Sequence, residues 1–204
     1  MPDDAQQTVF IVDDDASIRQ SMGHLLGSVN IACESFASAN DFLDAWSADK
    51  AGCLILDIRM PGLGGLELQE KLNELGCSLP IIFITGHGDV PMAVEAMQKG
   101  AFDFVQKPFR DQDLLDRIND ALAAHSAKRE EELEQADIRA HIDTLTPREK
   151  DVFELVVTGK PNKIIAHELS VSQRTVEIHR ARVMEKMEAK SLATLVRMWA
   201  AVQA

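Results

Sequence analysis

Two hydrophobic periods alternate five times over the first 125 residues, and this constrains the fold more than any other feature of the chain. "TVFIVD", "CESF", "GCLILD", "LPIIFIT" and "FDFVQ" are short apolar runs of strand character. "SIRQSMGHLLGS", "ANDFLDAWSA", "GLELQEKLNEL", "VPMAVEAMQKG" and "DQDLLDRINDALAAH", which follow them in turn, carry helical spacing. Strands that alternate with helices fold as βα units with parallel strands and right-handed crossovers. Five units predict an α/β fold, a five-stranded doubly wound parallel sheet with helices on both faces, over residues 1–125. Such a sheet binds ligands at the carboxyl ends of its strands, where the strand order reverses.

The pattern then changes. Residues 126–143, "SAKREEELEQADIRAHID", are charged and lack Gly and Pro, which predicts a solvated helical linker continuing the fifth helix. Leu133, Ile138, Ile142 and Leu145 offer a narrow apolar stripe, to pack on the chain's own domains or on a partner helix. Residues 144–204 read as a small all-α domain of four helices, opening on the capping box of "TPRE". Charge divides at the same place. The chain carries −12 overall; residues 1–143 hold 11 Lys+Arg and 26 Asp+Glu, or −15, and residues 144–204 hold 10 and 7, or +3. An acidic domain is thus joined to a module able to meet an anionic partner. No apolar stretch approaches the ~20 residues of a spanning helix, and "MPDDAQQ" lacks the plan of a signal peptide; the expectation is a cytoplasmic protein without membrane contact. Cys33, Cys53 and Cys77 show no metal or redox spacing and read as reduced thiols.

Chemistry concentrates at strand ends. The first strand runs into Asp13, Asp14 and Asp15, and the third ends in Asp57. On central parallel strands, Asp13, Asp14 and Asp57 converge at one rim, where they repel one another unless a cation joins them. Oxygen ligands of this kind suit Mg²⁺, which keeps several waters and shares a substrate phosphate. Thr85 and Lys107 end the fourth and fifth strands, supplying a hydroxyl donor and a cation for phosphoryl oxygens. Acids, hydroxyl and ammonium on four strand ends make a phosphoryl-transfer arrangement.

These residues, in "VDDD" (12–15), "LDIRMPG" (56–62), "FITGHGD" (83–89) and "FVQKPF" (104–109), resemble the receiver domains of two-component response regulators, a CheY-like fold. The resemblance implies that Asp57 accepts a phosphoryl group from a sensor histidine kinase. It assigns Asp14, Asp57 and the Arg59 backbone carbonyl to Mg²⁺, with Asp13 acting through water. Thr85 and Lys107 then hold the phosphoryl oxygens, and Phe104 takes the family's aromatic switch position beside Thr85. The protein is not an enzyme on this reading, beyond self-phosphorylation from small donors and autodephosphorylation.

"NKIIAHELSVSQRTVEIHRARV" has helix–turn–helix spacing, with Ile165, Leu169, Val171, Val176 and Val183 at core intervals and Ser170 at the turn position where Gly is commoner. Residues 144–204 resemble LuxR-type DNA-binding domains through "LTPRE", "NKIIAHEL", "TVEIH" and "EKM", and the whole chain resembles response regulators of the FixJ/NarL class, FixJ-like most of all. The recognition helix is then 172–187. Arg174, Thr175, Glu177, Ile178, Ala181 and Arg182 are candidates to face the major groove; Lys163, Arg174, Arg180, Arg182 and Lys186 are candidates for phosphate contacts. Glu177 stands where the broader family has Lys; it either accepts from a cytosine amino group or turns toward Arg174 or Arg180. Leu195 and Trp199 on the last helix are candidates for pairing two DNA-binding domains, or for the core. Met92, Val94 and Met97 on the fourth helix are candidates for a phosphorylation-dependent dimer. The partners implied are a sensor kinase, promoter DNA, RNA polymerase and a second copy of the chain. Two rivals belong to other classes. "VDDDAS" fits haloacid-dehalogenase-type phosphatases, with Asp13 as nucleophile and Asp15 as acid. A regulator acting through protein contacts alone needs no DNA.

Overall fold

The computed structural model describes residues 7–86 and 90–203. Residues 1–6, on which part of the reading of the N-terminus rests, and His87, Gly88 and Asp89 of the motif after the fourth strand lie outside the described residues. The chain divides into two compact units, Met1–Lys128 and Arg129–Ala204.

In the first unit, strands and helices alternate as β1 (Thr8–Val12), α1 (Ala16–Ser28), β2 (Ala32–Phe36), α2 (Ala39–Asp44), β3 (Gly52–Asp57), α3 (Gly65–Glu74), β4 (Ile81–Thr85), α4 (Val90–Gln98), β5 (Asp103–Gln106) and α5 (Asp111–Asp143). All strands are parallel, in the order β2-β1-β3-β4-β5. The chain therefore leaves β1 for β2 on one side and returns to β3 on the other, which opens the switch point between β1 and β3. Side chains obey the period of two. Val9, Ile11, Cys53, Ile55, Ile82 and Ile84 face α1 and α5, packing with Met22, Leu26, Leu114 and Ile118. Phe10, Val12, Leu54, Leu56 and Phe83 face the other way, packing with Phe42 of α2, Leu68 and Leu72 of α3 and Ala96 of α4. Both faces of the central strands are buried, which is why "CLIL" and "IIFI" are continuous apolar runs. The three thiols are free, and burial pushes Cys53 up to about 12.

The second unit packs the last part of α5 with α6 (Pro147–Val157), α7 (Asn162–Glu168), α8 (Gln173–Lys186) and α9 (Leu192–Ala201). Ile138, Leu145, Val152, Phe153, Ile165, Val176, Val183, Met187 and Leu195 form its core. The helix thus continues through 126–143. Of the stripe expected there, Ile138 and Leu145 are buried in this unit, Ile142 packs against it, and Leu133 is exposed. Side-chain oxygens cap three helices: Thr146 on α6, Ser172 on α8 and Ser191 on α9. Ser170, between α7 and α8, has φ of 55°, the left-handed conformation that Gly adopts at least cost.

Candidate functional site

The register of the sheet builds the first site. Val12 pairs with Leu56, so Asp13 and Asp57 leave adjacent parallel strands at the same level. Asp57 pairs with Ile84, and Thr85 with Gln106, which brings Thr85 and Lys107 to the same rim. From beyond β5, Lys107 reaches across β4, and its Nζ donates to Asp57 Oδ1 at 2.7 Å and to Asp13 Oδ2 at 3.1 Å. One ammonium thus serves two carboxylates. Their other oxygens accept backbone N–H groups: Asp15 to Asp13 Oδ1 and Arg59 to Asp57 Oδ2, both at 2.8 Å. Asp13, Asp57 and Thr85 are buried, while Asp14 and Arg59 are exposed beside them.

Burial raises the Asp13 carboxyl above its ordinary range, even though the Asp15 amide and Lys107 pull the other way. Lys107 is pushed down by burial but is carried above its usual value by its bonds to Asp57 and the charges of both acids. The third acid of the opening cluster plays a different part. Asp15 is the N-cap of α1, accepting from the Ser17 amide at 2.8 Å, and its carboxyl is held low chiefly by Ser17. Arg19, one turn on, donates to the Asp13 carbonyl at 2.6 Å and fixes the strand end.

Sequence reasoning missed one supporting residue. Gly65 begins α3, and a Cβ there would lie 2.3 Å from the Asp57 carbonyl oxygen. Only Gly lets α3 start this close to the end of β3. The signal in the sequence is the "GLGG" that follows "MP".

Hard oxygen donors converge here, and a single half-buried lysine balances two of them. Among the described residues no group of three or more acidic, thiol or imidazole side chains closes into a metal cage. Mg²⁺ needs none, since it is commonly held by one or two carboxylates together with waters and substrate phosphate. The donor set therefore fits this ion. Phe104 on β5 is 37 % exposed, and Thr85 3 %.

In the second unit α7 and α8 form the helix pair. Ile165, Val176 and Val183 are buried, and Leu169 and Val171 pack at the core's margin. Arg174, Glu177, Ile178, Ala181 and Arg182 lie on the exposed side of α8, and Lys163 is exposed on α7. Thr175 is half-buried, its amide bonded to the Ser172 hydroxyl. Two expected phosphate ligands are tied into the fold instead. Lys186 Nζ donates to buried Glu149 at 2.7 Å and to the Thr144 carbonyl at 2.9 Å, and Arg180 donates to Asn162 at 3.0 Å. Glu149 closes the capping box with the Thr146 amide, and Lys186 and that amide hold its carboxyl down to about 2.

The dimer candidates divide as well. Val94 and Met97 are exposed, and Met92 packs partly on the core. Leu195 is fully buried in the helical core, so its side chain has no surface to offer a second copy; α9 repeats its apolar residues at helical intervals, and Leu195 falls on the inward face. Trp199 packs edge-on against Phe153, ring centroids 5.2 Å apart. The large apolar residues exposed on α9 are Leu192 and Val196.

A parallel five-stranded sheet with acids and a lysine joined at its switch point defines a receiver, and the buried helix–turn–helix pair beyond it an output module. Residues 9–119 match the family described as response regulator receiver domain, and residues 143–199 match bacterial regulatory proteins of the luxR family. The transcriptional regulatory protein FixJ of Rhizobium meliloti is 49 % identical over 193 residues, 94 % of each chain. Nodulation protein W of Bradyrhizobium diazoefficiens is 48 % identical over 190 residues, 93 % of this chain and 84 % of its own. The solved structure of the response regulator StyR superposes with a TM-score of 0.87 at 43 % identity, covering 96 % of this chain and 99 % of that one. The chain belongs to the FixJ-like response regulators, in which a receiver domain is joined to a LuxR-type DNA-binding domain. The phosphatase reading gives way to this membership. No helix among the described residues is long and apolar enough to cross a membrane.

Proposed function

We propose that this protein is a cytoplasmic phosphorylation-controlled transcription factor whose acceptor is Asp57, with residues 1–125 as receiver, 126–143 as linker and 144–204 as DNA-binding domain. The observation that carries the reading is the Lys107 ammonium shared between Asp57 and Asp13. An Asp57 oxygen attacks the phosphorus of a phosphohistidine on a sensor kinase. The P–O bond forms as the P–N bond breaks, and the imidazole leaves with that electron pair. Lys107 is placed to follow one phosphoryl oxygen and Thr85 to donate to another. Asp13, Asp14, Asp57 and the Arg59 carbonyl would hold Mg²⁺, which when bound offsets the charge gathering on the transferring group. Small phosphodonors can replace the kinase, and water later hydrolyses the acyl phosphate.

Thr85 drawn toward the phosphoryl group leaves space that Phe104 enters, since a ring one-third exposed has somewhere better to pack. The face bearing Val94 and Met97 then pairs with a second copy, and the DNA-binding domain engages promoter DNA to activate transcription by RNA polymerase. Arg174, Arg182 and Lys163 supply phosphate contacts. The test is labelling by a small phosphodonor with Mg²⁺: Asp57→Asn is expected to remove it entirely, and unchanged labelling would place the acceptor elsewhere. Gel filtration with and without beryllofluoride reads the dimer, and an unaltered elution volume counts against it.

A further inference from the structure

The recognition helix carries an acid that the fold leaves unemployed. Among the described residues no hydrogen bond or ion pair holds Glu177 or Glu185 of α8, whereas Glu149, Asp151 and Glu168 of the same unit each pair with a cation; of the two, Glu177 shares its face with Arg174, Ile178 and Ala181. Of its two nearby arginines, Arg180 is bonded to Asn162, and Arg174 makes no bond to Glu177. Beside Glu177, Ile178 is 48 % exposed, although burying it would be favourable. Arg174, Glu177, Ile178 and Ala181 share one face at intervals of three and four, and Ala181 keeps that face low.

Resting on the reading that α8 enters the major groove, we propose that Glu177 reads a cytosine in the operator by accepting from its N4 amino group, with Ile178 against a thymine methyl in the same half-site. A duplex carries a negative charge about every 1.7 Å, so an unpaired carboxylate facing it is repelled and cannot serve as a backbone contact. It is tolerable only where a directed donor meets it. The major groove displays two such donors, the amino groups of cytosine and adenine. Adenine sets its N7 acceptor beside that donor, against a second acceptor; it suits Asn or Gln, which carry both functions. Cytosine presents its donor with no acceptor alongside and suits a carboxylate. The only strongly apolar group in the groove is the thymine methyl, which matches Ile178. Arg174 and Arg182, also without bonds inside the unit, flank the pair and supply attraction without sequence information.

The experiment is selection from randomised duplexes by the full-length chain activated with beryllofluoride, for the parent, Glu177→Gln, Glu177→Ala and Ile178→Ala. Exposed positions on a capped helix leave folding intact, which thermal melting checks. The parent is expected to select one cytosine per half-site whose replacement weakens binding about five- to 150-fold. Glu177→Gln moves that preference to adenine, Glu177→Ala erases it at that position alone, and Ile178→Ala relaxes a thymine. Replacing the selected cytosine by 2-pyrimidinone, which lacks the amino group, weakens the parent and leaves Glu177→Ala unchanged. Identical motifs from the parent and Glu177→Ala overturn the proposal while DNA binding itself stands. Failure of the parent to bind any duplex in a salt-dependent way overturns the DNA-binding reading and this proposal with it.

Discussion

Each unit of the chain buries an acid against a lysine, and the two acids behave in opposite ways. Asp13 and Glu149 each expose 2 % of their surface, but burial is the dominant influence only on Asp13. Burial raises the Asp13 carboxyl, outweighing the Asp15 amide and the Lys107 ammonium that it shares with Asp57. Glu149 is held down to about 2, because Lys186 and the Thr146 amide both serve it. One lysine for two carboxylates, each of which also accepts one backbone amide, leaves a deficit of positive charge that a divalent ion can offset. One lysine for one carboxylate, which likewise accepts one amide, leaves no such deficit, and the result is a clamp between α6 and the end of α8. Similar residues leave an excess of negative charge in one unit and make a fastening in the other, and the number of acids per lysine together with the desolvation of the acid distinguishes them.

The comparison can be broken most severely at Gly65. Gly65→Ala forces a methyl group into the Asp57 carbonyl and is expected to lower receiver stability by about 3 kcal/mol, with loss of phosphodonor labelling. Urea unfolding and labelling of the same preparation read both effects. Next, Glu149→Ala removes the acidic half of the capping box and the clamp together, leaves the Thr146 cap, and costs about 2 kcal/mol; Glu149→Gln keeps an acceptor for the Thr146 amide, loses the charge and costs about 1 kcal/mol. Trp199 fluorescence in a Trp46→Phe background reports unfolding of that unit.

The pH dependence has a definite sign. The folded Glu149 lies below its ordinary value of 4.5, so its contribution is fully present above 4.5 and is lost as pH falls from there toward 2. That segment of the stability profile should be missing from Glu149→Gln. Asp13→Asn sharpens the contrast because the sign reverses. It keeps an acceptor for the Asp15 amide and relieves the carboxylate excess, and is expected to stabilise the receiver by about 1 kcal/mol while weakening Mg²⁺ binding, measured by calorimetry. The smallest effect is expected at Ser170→Gly, where relief of the left-handed conformation raises the melting temperature of the helical unit by an amount equivalent to about 0.5 kcal/mol.

Much of the receiver was legible along the chain. The ends of β1 and β3 are marked by a change from apolar to acidic residues, and once strands are parallel their ends must meet at one rim. The helix–turn–helix was legible for the same reason: Ile165, Val176 and Val183 follow a period that does not depend on distant partners. The employment of surface charges was not legible. Lys186 and Arg180 have the composition of phosphate ligands, and only their distance to Glu149 and Asn162 shows that both are occupied. Leu195 and Leu192 are the same residue on one helix, and packing alone buries the first and exposes the second. Asp15 stands in sequence as a third member of an acid cluster, and only its bond to the Ser17 amide makes it a cap.

By itself the order of residues determined the alternation of elements, the parallel sheet, the placing of acids, hydroxyl and lysine at strand ends, and the helical output module. These follow from periodicity and steric preference, which act between near neighbours in the chain. The tertiary structure decided that one ammonium is shared by two acids, that Lys186 is committed to a clamp, and that Glu177 is left over. Electrostatic pairing falls off over a few ångströms, so which charges find one another depends on strand register and helix rotation rather than on sequence distance.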